Sequence, residues 1–140
     1  MVLVIACIVV ALAALLHVYI FWMESFAWRR PAVWQRFNVA DQSQADANRD
    51  LAYNQGFYNL FLAIGAAVGV VLLLASGHSG HTGSAVRPAG FALVFLATGS
   101  MLAASLVLLT LGRRFAAAAL TQGLAPLVGL VLTLIAATTP

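Results

Sequence analysis

Four predominantly apolar stretches occupy residues 2–23, 52–75, 89–111 and 115–137. Each is long enough to cross the hydrocarbon core of a bilayer as a helix, which takes about 20 residues. In lipid the backbone has no water to bond to, so a lone apolar segment of this length satisfies its N–H and C=O groups as a helix. Only 8% of the 140 residues are charged, against about a quarter in a soluble domain. The expected fold is therefore all-α: a four-transmembrane-helix antiparallel bundle, a single integral membrane domain over residues 1–140, assembling as a homo-oligomer.

The basic residues orient it. All seven are Arg, at 29, 30, 36, 49, 87, 113 and 114. Their clustering at the ends of apolar stretches suits a membrane surface and argues against a nucleic-acid partner. Loops 24–51 and 112–114 hold six of them, and loop 76–88 holds only Arg87. The positive-inside rule then places the first and third loops in the cytoplasm and both termini outside. The expected location is the bacterial cytoplasmic (inner) membrane. Val4-Ile5-Ala6-Cys7 has the form of a lipoprotein cleavage box, yet only six residues precede the cysteine and none is basic, so the segment is read as a retained span.

The loop at 24–51 has its own pattern. Trp28, Trp34 and Phe37 alternate with Arg29, Arg30 and Arg36 around Pro31, a composition that suits the headgroup region of the inner leaflet. Asp41 or Ser43 can cap a following helix, which is expected to run unbroken into the second span. Gly65/Gly69, Gly99/Ala103 and Ala125/Gly129 have the small-xxx-small spacing of close helix contacts. Gln55-Gly56 and Gln122-Gly123, each early in a span that follows a cytoplasmic loop, faintly suggest two related hairpins.

Ionisable residues inside a span mark a functional site by default. His17 and Glu24 share one face of the first span at i,i+7. Counting inward from the Arg-rich side, Asn59, Ser105 and Gln122 reach a depth similar to His17, at about 1.5 Å per residue. Asn54, Gln55 and Tyr58 precede Asn59 on the second span, and Pro126 frees the carbonyl of Gln122 from its helical donor. The expectation is a polar layer confined to the cytoplasmic half. His17, Glu24 and Tyr58 are its candidate catalytic groups, and Asn54, Gln55, Asn59 and Gln122 its candidate ligand-binding groups. The partner would be a small lipophilic molecule, bound or transformed. A proton-coupled transporter and an accessory subunit of a membrane complex are the alternatives. His17 and Glu24 alone make two metal ligands where catalytic zinc wants three, so no metal is expected. His78 and His81 read as a solvated turn. No nucleotide loop, Ser-His-Asp arrangement or Cys-x-x-Cys appears, so the sequence names neither a reaction nor a cofactor.

Three motifs carry a resemblance. His17-Val-Tyr19-Ile20-Phe21-Trp-Met-Glu24, Asn54-Gln55-Gly56-Phe-Tyr58-Asn59 and Gln122-Gly123-Leu-Ala-Pro126 resemble those of a family of small four-span bacterial membrane proteins known only as a domain of unknown function. That resemblance covers nearly the whole chain and implies the fold and the grouping of polar residues. A looser likeness is to the four-span membrane-associated eicosanoid and glutathione enzymes, through the placing of Arg49 and Asn54. The Glu those enzymes carry a turn after the Asn is absent here, where Phe57 and Tyr58 stand.

Overall fold

In the computed structural model, which describes residues 1–76 and 83–139, the chain forms four long helices and a small helical cap. The long helices are α1 (Val2–Ser25), α4 (Arg49–Ser76), α5 (Gly83–Thr110) and α6 (Ala116–Thr138). All four are long and apolar enough to span a membrane. Each packs on two neighbours, closing a ring in the order α1, α4, α5, α6, with α1 against α6 and little contact across the diagonal. Consecutive spans run antiparallel, as the contacts of Gly56 with Ser25, Gly69 with Val94 and Gly123 with Ser105 require. The all-α four-helix expectation holds.

Small residues set the spacing of this ring. A Cβ added to Gly69 would lie 2.8 Å from Val94 Cγ2, and one on Gly90 would lie 2.9 Å from Leu73 Cγ, so α4 and α5 approach backbone to backbone there. Gly129 of α6 lies against Val10 of α1 in the same way, at 3.0 Å. Gly65 and Gly69 are thus used within the bundle, as is Gly129. Gly99 is not: nothing approaches its Cβ position, and Ala103 is exposed, because the Gly99/Ala103 pair faces away from the neighbouring spans. The two hairpins repeat one device. Gly56 of α4 is packed against Ser25 Oγ of α1, and Gly123 of α6 against Ser105 Oγ of α5. The Gln-Gly echo thus marks the same interhelical contact twice.

Three loop expectations change. The chain at 24–51 folds into a cap with its own core rather than lying open to headgroups. It contains α2 (Pro31–Trp34), a 3-10 turn at Gln35–Phe37 and α3 (Gln42–Ala47). Trp28 and Trp34 are buried against Ala45 and Ala52, with Phe37 and Val39 at the edge. Trp28 Nε1 donates to the Ala45 carbonyl at 2.8 Å. The Arg side chains at 29, 30 and 36 stay exposed. Asp41 is the cap of α3, its carboxylate accepting from Gln44 N at 2.9 Å, but the helix does not run on: Asn48 takes φ −91°, ψ 0° and separates α3 from α4. Finally, α5 begins at Gly83, ahead of Pro88.

The turn between α5 and α6 needs Gly112, whose φ of +123° and ψ of 165° suit only glycine. Asn38 Nδ2 reaches the Arg114 carbonyl at 3.4 Å, so cap and turn meet at one end of the bundle.

Candidate functional site

Glu24 is where the polar layer becomes a site. It ends the inward face of α1, with a relative exposure of 7%. Gly56 lets α4 close on this point, since any side chain there would strike Ser25 Oγ and crowd the Glu24 Cβ. The close approach brings Asn59 Nδ2 to 2.8 Å from Glu24 Oε2. The same amide also donates to the Gln55 carbonyl at 3.2 Å, which fixes its orientation. The other carboxylate oxygen has no partner among the described residues, and it is not sealed off.

That carboxylate borders a cleft of about 360 Å³ at the foot of α1 and α4. Trp28, Arg29, Arg49, Asp50 and Tyr53 form the rest of its wall, with Ser25 and Phe26 at the edge. Ser25 Oγ donates to the Tyr53 carbonyl at 3.2 Å, bracing the two helices across the cleft. Arg29, Arg49 and Asp50 are exposed and make no ion pair or hydrogen bond with one another or with Glu24. The cleft therefore presents two unpaired cations, an unpaired carboxylate at its mouth, and a half-satisfied carboxylate at its back.

His17 stands apart from this cleft. Seven residues of helix separate it from Glu24, a rise of about 10 Å. It is almost wholly buried, at 1% exposure. Its Nδ1 donates to the Ala13 carbonyl at 2.9 Å, because a carbonyl can only accept. That leaves Nε2 as the acceptor nitrogen, with no partner among the described residues. Gly129 faces Val10 across the α1–α6 contact, and two turns further on each helix bring His17 and Gln122 to the same height. The Gln122 side chain is half-buried and makes no hydrogen bond to the described residues. Ser105 is at this level too, opposite Gly123, but its hydroxyl bonds its own helix at the Leu102 carbonyl, 2.7 Å away.

The layer thus divides in two. One level holds Glu24 and Asn59; the other holds His17, Gln122 and Ser105. His17 and Glu24 share a face without forming a pair. Asn54, Gln55 and Tyr58 are exposed, Tyr58 at 56%, and only the carbonyl of Gln55 touches the Glu24 level. Asn54 and Tyr58 lie well round the helix from Asn59, whereas Gln55, one turn before Asn59, shares its strip but keeps its side chain exposed. His78 and His81 lie outside the described residues. Among the described residues, no three His, Cys, Asp or Glu side chains converge as they would around a metal ion.

The wall residues Arg29, Asp50 and Tyr53 were not singled out from sequence as site residues. Arg49 and Tyr53 carry a signal in hindsight: at i,i+4 they share a face of the first turns of α4. Arg29 carries none, since its position depends on how the cap folds.

A family model described as a protein of unknown function (DUF1304) matches residues 11–134. The chain belongs to this family. No curated protein and no solved structure matches it. The stretch shared with DUF1304 contains all three motifs, including Glu24, Gly56 and Asn59, and it contains the whole wall of the cleft.

Proposed function

We propose that this membrane protein binds or transforms a small lipophilic molecule in the cleft at the foot of α1 and α4, in the cytoplasmic half of a bacterial inner membrane. The observation that carries this reading is the Glu24 carboxylate. It is held by Asn59 on one oxygen, open on the other, and set at the back of a cavity within the size range of small-molecule sites. Glu24 would anchor a donor on the ligand or serve as acid or base, with Asn59 keeping it in place. His17, Asn54, Gln55, Tyr58 and Gln122 lie away from the cleft wall and are given no role in it.

Packing favours this reading over a proton-coupled transporter. Beyond His17, the interior of the bundle is filled by the fully buried side chains of Val10, Val94, Thr98, Met101 and Thr133. The Thr98 and Thr133 hydroxyls bond their own helices. A water path would have to displace close-packed groups.

The test is to purify the full chain in mild detergent and identify bound lipophiles by native mass spectrometry. Asp50→Trp, a change at an exposed position on the wall, should fill the cleft. The wild type is expected to retain a lipophilic molecule that Asp50→Trp loses. Retention by both, or by neither, would overturn the reading.

A further inference from the structure

The outer groove between α1 and α4 does not end at the cleft. Phe26 and Tyr53 belong to the cleft wall. Phe26 meets Phe21 edge to face at 5.4 Å between ring centroids, Phe21 meets Phe57 at 5.1 Å, and Tyr53 also meets Phe57, at 5.0 Å. Phe61 continues the run on α4. Farther along the same pair of helices is an apolar depression of about 390 Å³, walled by Ala14, Leu15 and Val18 of α1 and by Ala63, Ile64 and Val71 of α4. From Glu24 to Ala14 is ten residues of helix, about 15 Å. One groove therefore joins a charged foot, an aromatic band and an apolar trough.

The charges at the foot specify what could lie there. Arg29 and Arg49 are unpaired donors suited to an anionic oxygen cluster such as phosphate. The cleft also adjoins the N-terminus of the 28-residue α4, where the helix dipole favours an anion. Glu24 offers a free carboxylate oxygen and Asp50 a second carboxylate, both calling for a cationic donor. The cluster has no internal ion pairs, so both signs are available to a ligand.

We infer that the groove holds a long-chain amphiphile whose headgroup carries a phosphate and a primary ammonium. This inference rests on the cleft binding a lipophile at all. The phosphate sits between Arg29 and Arg49, the ammonium on Glu24 and Asp50, and the acyl chain runs over Phe21 and Phe57 into the trough. Asn59 acts as a positioning residue by holding the Glu24 carboxylate with one oxygen turned to the ligand.

The experiment uses the full chain in detergent and four probes: lysophosphatidylethanolamine, lysophosphatidylglycerol and monoacylglycerol of equal chain length, and free phosphoethanolamine. Affinities are read by native mass spectrometry. Lysophosphatidylethanolamine should bind about tenfold more tightly than each of the others, the scale of one charge-assisted hydrogen bond. Replacing both arginines, Arg29→Gln with Arg49→Gln, should abolish its advantage over monoacylglycerol. These side chains are exposed and unpartnered, so the double variant keeps the fold. Glu24→Gln should abolish its advantage over lysophosphatidylglycerol. Equal wild-type binding of the three long-chain probes would overturn the headgroup assignment while leaving a lipophile site intact. Preferences that persist in the variants would also overturn it. Free phosphoethanolamine binding as tightly as the lysolipid would overturn the chain track. Failure of every long-chain probe to bind would remove both this inference and the reading on which it rests.

Discussion

A carboxylate inside a span is expensive in apolar surroundings, and the cost falls only where its oxygens are met. Asn59 meets one of them at 2.8 Å. Removing the donor alone leaves a buried acceptor unsatisfied, whereas removing both partners leaves an apolar contact. Asn59→Leu is therefore expected to destabilise the bundle by about 1–3 kcal/mol. The double variant Glu24→Leu with Asn59→Leu should recover most of that loss. Unfolding titrations in mixed detergent micelles measure both, and a double variant as unstable as Asn59→Leu would mean that the pair is not what stabilises this level. His17 solves the same problem differently, spending its Nδ1 proton on its own helix. That is why a face shared at i,i+7 did not become an acid/base pair: helical rise separates the two groups, and each found a nearer partner.

At the scale of elements, composition says that helices are close but not which faces meet. Gly69 and Gly99 look alike in sequence, each in a small-xxx-small pair. Gly69→Ala would press a methyl to about 3 Å from Val94, including its backbone N, and is expected to cost roughly 1–3 kcal/mol as overpacking. Gly99→Ala meets nothing and should be neutral or slightly stabilising, through helix propensity. Equal effects in the same unfolding assay would contradict the packing. The cap makes a similar point. Its tryptophans look like headgroup anchors in sequence, yet Trp28 closes a small core through the Ala45 carbonyl. Trp28→Phe removes that hydrogen bond and should cost about 1 kcal/mol, read as faster amide exchange across α3. Unchanged exchange there would show that the cap is held elsewhere.

For the whole molecule, the distribution of arginines predicts the direction of the bundle. In a Cys7→Ala background, Thr139→Cys should react with a membrane-impermeant maleimide in intact cells, and Ala40→Cys only after permeabilisation. The reverse pattern would invert the topology and move the cleft to the outer side. The number of spans and their antiparallel order were legible in the sequence, because they depend on local quantities: apolar length and the sequence of loops; the level of Asn59 was not, since it meets Glu24 rather than His17. The ring order of the helices was not, and neither was the division of the polar layer into two levels. Those depend on which faces of α1, α4, α5 and α6 close on one another, and Gly56, Gly69, Gly90 and Gly129 govern that only once their opposing side chains are known. By itself, the sequence determined that this chain has four spans and that Glu24 stands at the end of the first, on the face of His17. Only the tertiary structure decided that Asn59, rather than His17, is Glu24's partner. Only the fold of the cap brought Arg29 to the cleft that Arg49 also lines, because where residues twenty apart come to lie is fixed by the packing of what lies between them.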